Sequence, residues 1–362
     1  MHIPDGYLSP ATCAVTFAAA VPFWTVALRR VGNALQTRLV PLLAVVSAFS
    51  FVIMMFNLPL PGGTTGHAVG IAVAAILLGP WATMLAISIA LFIQAVFFGD
   101  GGITAFGANC LNMAIVGPLV AYGVYRLLAG GAPLSARRRV FAATIAGYVA
   151  INAAALLAAI ELGIQPMLFH DASGAPLYAP YPLEIAVPAM MIGHLTVAGL
   201  AEALISGGIV AYLQNSDPGL LQRSAMRPSA VGENEAAERP VPVWHATRAL
   251  WAGVAALMII SPLGLLAAGI AWGEWGVQDF HDGAGRAQIA LASGNVAPPA
   301  EVPQGMARLA EFWTAPIPDY APAFMHHEAF GYVMSAMVGT GLILLTLLAA
   351  SRLVRGGPAR DP

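Results

Sequence analysis

The sequence predicts an all-α protein: a polytopic transmembrane helical bundle of about seven helices followed by a C-terminal two-helix hairpin, the segments being long enough to cross a bilayer. Three observations carry this. Of the 362 residues, 58% are hydrophobic and 9% charged, whereas a soluble domain carries about 25% charged residues. The mean hydropathy is +0.75. Apolar runs recur along the whole chain, and about 20 such residues in a helix span roughly 30 Å of hydrocarbon. An ordinary soluble enzyme is thereby excluded. The net charge of −2, with no basic block interleaved with aromatics, excludes a nucleic-acid partner.

The runs fall at 11–28, 40–57, 67–79, 81–98, 104–128, 139–161, 183–213, 249–270 and 329–350. The third is too short to cross alone, and Gly79-Pro80 turns it tightly into the fourth, so its depth stays open. Residues 1–213 therefore form a first membrane domain. Residues 214–244 are polar, contain Pro and Gly, and read as a flexible cytoplasmic linker. Residues 245–362 read as an accessory transmembrane hairpin with an outer loop, 271–328, that holds seven acidic residues. All sixteen basic residues are arginines. An N-terminus outside and a C-terminus in the cytoplasm places every one except Arg286 and Arg308 on the cytoplasmic side, as the positive-inside rule demands. The expected location is a cell membrane, crossed several times. Cys13 and Cys110 lie in apolar runs without CxxC spacing and read as small hydrophobes.

The start, MHIPDGYLSP, lacks the basic region of a cleavable signal peptide, and bulky His2 protects Met1 from removal, so residue 1 is expected to persist. A free α-amine, the amide nitrogen of residue 2 and the His2 Nδ1 close fused five- and six-membered chelate rings. They offer three nitrogens in one plane, which suits Ni²⁺, Cu²⁺ or low-spin Co²⁺ and ill suits tetrahedral Zn²⁺ or oxygen-seeking Mg²⁺. A histidine at position 2 is by itself more often accidental. His67, in the Gly/Pro loop NLPLPGGTTGH, falls on the same outer face and reads equally as a fourth ligand or as the helix-starting histidine of a flexible turn. The glycines around it permit close backbone approach. Asn57, Thr64 and Thr65 in that loop, with Asp100, Asn109 and Asn112 in FGDGGITAFGANCLN, are candidates for orienting ligands or lining the access route. Interhelical hydrogen bonding explains the asparagines as well.

Taken together, MHIPDGYLSP, NLPLPGGTTGH, LGPWA, FIQAVFFGDGGIT and GANCLNM resemble the CbiM/NikM substrate-capture components of energy-coupling-factor nickel and cobalt transporters, over roughly residues 1–215. The later SPLGLLAAGIAWGEWG and PDYAPAF are similar to the small N component, here fused on. The resemblance implies a substrate-binding membrane component of an ATP-driven importer of nickel ions, with cobalt as the alternative cargo and no enzymatic activity. It implies metal ligation by Met1, His2 and His67. It also implies a membrane coupling protein and cytoplasmic ATPase subunits as partners, docked on a first helix whose Ala11, Ala14 and Ala18 form a stripe of small residues. The chain has no GxxxxGK[ST] phosphate loop of its own. A membrane metalloenzyme, the rival reading, would need an open coordination position and a nearby base, and no HExxH is present. The other histidines match no family ligand. His326-His327-Glu328 reads as an exposed cluster, and Glu161, Glu184, His194 and Glu202 read as functional or interhelically paired groups at membrane depth.

Overall fold

In hydrocarbon every backbone N–H and C=O must find its partner within the protein, so apolar runs of this kind fold as helices. The computed structural model describes residues 1–32, 39–225, 243–321 and 324–355. Helix α1 (Pro10–Val31) starts where the Ser9 hydroxyl accepts from Thr12 N and Pro10 fits the first turn. It is followed by α2 (Leu39–Met54), a hairpin of β1 (Leu58–Leu60) and β2 (Thr64–Gly66) in antiparallel register, and the half-length α3 (Ile71–Leu78). Then come α4 (Pro80–Phe98), α5 (Phe106–Ala129), α6 (Arg137–Leu168), α7 (Leu183–Ser216) and the short α8 (Pro218–Ala225). The C-terminal unit has α9 (Val243–Ile260), a lobe in place of the predicted outer loop, called the outer lobe after it, with α10 (Val277–His281), α11 (Gly283–Ala292) and α12 (Gln304–Leu309), and α13 (Glu328–Arg355).

Among the described residues seven helices are long and apolar enough to cross a membrane, with Val40–Met54 as a shorter one. The protein is a multi-pass helical membrane protein. The predicted runs correspond to these helices with three corrections. The second ends as helix at Met54 and turns into β1. The third becomes helical only at Ile71, because Gly70 takes a left-handed φ of 75° and leaves His67–Gly70 irregular. The outer loop 271–328 is a folded lobe of short helices. The expected linker 214–244 continues α7, begins α8, and for residues 226–242 lies outside the described residues, as do Arg38, Arg227, Arg239 and Arg360.

Helix α3 answers the question of its depth by being hidden from lipid. Ile71 to Leu77 are all buried, packed among α4, α5 and α6. The irregular backbone before it is tolerated inside a membrane protein only where protein satisfies it. Glu202, wholly buried on α7, does so: one carboxylate oxygen accepts from Val69 N at 2.8 Å and Gly70 N at 2.9 Å. α9 and α13 pack on α2. α1 packs on α4 and α5 and leaves Ala11, Ala14 and Ala18 exposed.

Candidate metal centre

Residues 1–9 form a strap that enters the bundle, with Met1, His2 and Ile3 buried. A non-helical segment has free backbone groups, and the bundle meets several of the strap's, along with its polar side chains. The Asn109 side-chain amide clamps Ile3, its Oδ1 accepting from Ile3 N at 2.8 Å and its Nδ2 donating to Ile3 O at 3.0 Å. Gly102 N donates to the same Ile3 carbonyl at 2.8 Å. The Asp5 carboxylate accepts from Ile103 N at 3.1 Å, Thr104 N at 2.7 Å and the Thr104 hydroxyl. Further along, Ser9 N donates to Gln165 Oε1, and the Tyr7 hydroxyl donates to the Trp275 carbonyl of the outer lobe.

This docking brings the predicted ligands together. The His2 and His67 rings stack with centroids 4.9 Å apart and an interplanar angle of 28°. His67 follows β2, whose hairpin turns through Gly62 and Gly63 at φ 86° and 73°, where side chains are disfavoured. Its Nδ1 lies 3.2 Å from the Ala68 carbonyl, which fixes the proton there and leaves Nε2 with its lone pair. That Nε2 is buried and has no hydrogen-bond partner. Burial, then the charges of His2 and the N-terminal ammonium, hold the His67 imidazole well below its usual value, so the ring is neutral. Glu202 fixes the two residues after Ala68 and so anchors the histidine loop to α7.

Two other nitrogens face carboxylates. The Met1 ammonium is 2.8 Å from Glu274 Oε1, and His2 Nδ1 is 2.7 Å from Asp100 Oδ1. Burial alone would raise the Asp100 carboxyl. The His2 charge and hydrogen bond, with help from His67 and the Tyr320 hydroxyl, overcome this and hold it below the ordinary carboxylate range. Gln94 Nε2 also donates to Asp100, and Tyr320 lies buried between them.

The remaining candidates divide. Asn57, Thr65, His67 and Asp100 line one polar cavity beside the rings. Thr64 stays within its hairpin, donating to Pro61 O. Asn109 reaches the strap, whereas Asn112 turns to Glu161 Oε2 at 2.7 Å and touches no strap residue by hydrogen bond. His170, His281, His326 and His327 are exposed and take no part. His194 is buried on α7 and bonds the Met190 carbonyl. Reading the sequence missed Glu274, Asp319 and Tyr320, which the outer lobe supplies. The one local signal was an acid between two tryptophans, Trp272-Gly273-Glu274-Trp275. Among the described residues no three His, Cys, Asp or Glu side chains are grouped to hold a metal ion. A first coordination sphere here has to draw on the backbone.

A family model described as the cobalt uptake substrate-specific transmembrane region, CbiM, matches residues 2–220. The chain belongs to that family. A second model, the PDGLE domain, matches residues 246–356. The fused nickel transport protein of Rhodobacter capsulatus is 61% identical over 95% of both chains. The cobalt transport protein of Geobacter sulfurreducens is 33% identical over 62% of each. A crystal structure of a truncated transition metal transporter superposes with a TM-score of 0.56 at 57% identity, covering 59% of this chain and 98% of that one. The resemblance read from the N-terminal motifs to the CbiM family thus holds, and so does the expected all-helical membrane fold.

Proposed function

We propose that this chain is the substrate-binding membrane component of an ATP-driven, energy-coupling-factor importer of nickel ions. The observation that carries it is that Met1 and His2 are buried together at the strap's start, with the His67 ring stacked on His2 and its Nε2 unpartnered. The Met1 amine, the His2 amide nitrogen, His2 Nδ1 and His67 Nε2 supply the four nitrogens of a planar site, which suits Ni²⁺. Binding requires the ammonium, the amide and His2 Nδ1 each to give up a proton, and frees Glu274 and Asp100 from the two nitrogens they now hold. Both carboxylates remain as counter-charges. Cobalt is the second cargo, favoured by the cobalt transport proteins among the relatives.

The partners of this component are a membrane coupling protein and cytoplasmic ATPase subunits. The exposed stripe of Ala11, Ala14 and Ala18 on α1 supports docking there, since small residues let helices approach closely. The arginine distribution supports an outside N-terminus.

The test is metal content of the detergent-purified full chain beside His2→Ala, His67→Ala and two glutamines inserted between Met1 and His2, bulky enough to keep Met1 in place while moving the imidazole out of chelate reach of the amine. Wild type is expected to hold one Ni²⁺ with the absorption band of a planar nickel centre, and all three variants to lose it. Because the chain has no lysine, amine reagents report Met1 alone, and bound Ni²⁺ should block them. An insertion variant that binds like wild type would overturn the amine–amide–imidazole site. Displacement by Co²⁺ ranks the two ions.

A further inference from the structure

Beside the nitrogens lies a cavity of ≈ 290 Å³ built jointly by the two units. The CbiM region contributes Asn57, Thr65, His67 and Asp100, and the outer lobe contributes Glu274 and Asp319. Glu274 spends one oxygen on the Met1 ammonium; no hydrogen bond reaches its other oxygen among the described residues. Asp319, which also lines the cavity, is exposed to water. Glu274 and Asp100 are offset by the Met1 ammonium and His2, whereas Asp319 adds a third carboxylate to the same space and forms no ion pair among the described residues. An independent feature points to a ligand: the buried His67 Nε2, without a partner, borders the same space.

We propose that this cavity is an antechamber that takes the divalent cation with its water shell before the nitrogens strip it. The size fits, since a water takes about 30 Å³ of liquid and a six-coordinate aqua ion therefore about 200 Å³. The side chains are not grouped for direct ligation, so Glu274, Asp319 and Asp100 hold the ion through its waters, by charge and hydrogen bonds. From there His67 Nε2 is the first nitrogen the ion meets, and Glu274 is the group it shares with the Met1 ammonium. The C-terminal unit thus supplies half of a cation site of its own. The destination of the ion rests on the nitrogen site proposed above, but the antechamber binds without it.

Equilibrium dialysis of Ni²⁺ against the full-length His2→Ala chain isolates the antechamber. One weakly held ion is expected, and adding Asp319→Asn or Glu274→Gln should weaken it about fivefold or more, the scale of losing one partly screened charge contact to a divalent ion. Mg²⁺, which keeps its waters, should displace this residual ion yet leave the planar band of wild type intact. Thermal unfolding of each variant checks that the fold persists. No residual ion in His2→Ala, residual binding equal in all three chains, or Mg²⁺ without effect would each overturn the antechamber. Failure of the nitrogen site would show separately, as a wild type without the planar band.

Discussion

Asn109 holds the strap at the residue next to His2, so Asn109→Ala should damage metal binding without touching a ligand. The side chain is 2% exposed and makes two hydrogen bonds to Ile3, at 2.8 and 3.0 Å. A buried hydrogen bond contributes about 1 kcal/mol net, and a buried donor left orphaned costs about 1–3 kcal/mol. Ile3 O keeps Gly102 N, whereas Ile3 N has no second partner among the described residues. Docking of the strap should therefore weaken by about 2–4 kcal/mol, which is about 30- to 700-fold in nickel affinity. The assay is competition for Ni²⁺ against a chromophoric chelator, using the purified full chain. Asn112→Ala is the matched control, because that side chain sits three residues on and pairs with Glu161 instead. It should lower the unfolding temperature while moving affinity by less than about threefold. An Asn109→Ala chain within about threefold of wild type, or an Asn112→Ala chain equally impaired, would refute the idea that the strap is held from Asn109.

Two further outcomes follow from the same geometry. At Gly102 an added Cβ would stand 2.4 Å from Asp5 N and 2.7 Å from the Pro4 carbonyl carbon; neither is a flexible side-chain end, so Gly102→Ala must lift the strap. Nickel affinity should fall by about tenfold or more, as for other overpacked contacts costing about 1–3 kcal/mol, with retention of wild-type affinity in a titration counting against the docking. For pH, Asp100 is held below the ordinary carboxylate range: its ion-pair contribution is present above its unfolded value and is lost only as pH falls through the folded one. It thus stays charged across the neutral range, and the pH dependence of binding comes from the nitrogens. Loss of one proton from the amine and one from the amide gives an apparent log affinity rising by about two per pH unit, or more steeply, below neutrality. A flat profile in that range would rule out a deprotonated amide ligand.

Much of this protein was legible before its tertiary structure because two of its features are local. An apolar run in hydrocarbon has one way to satisfy its backbone, so α1, α4, α5, α6, α7, α9 and α13 follow from composition and length. The three nitrogens of Met1 and His2 are adjacent in the chain, so their chelate geometry needs no fold at all. The tertiary structure decided everything that joins distant segments. It placed His67 against His2, sank α3 out of reach of lipid under the Glu202 carboxylate, and separated the tasks of Asn109 and Asn112, which the sequence had grouped as candidates for the same ones. It also closed the outer lobe over the site, with Glu274 meeting the Met1 ammonium across a separation of 273 residues. Such contacts leave no periodicity in the sequence, because they are set by how whole helices pack and not by which neighbours a residue has along the chain.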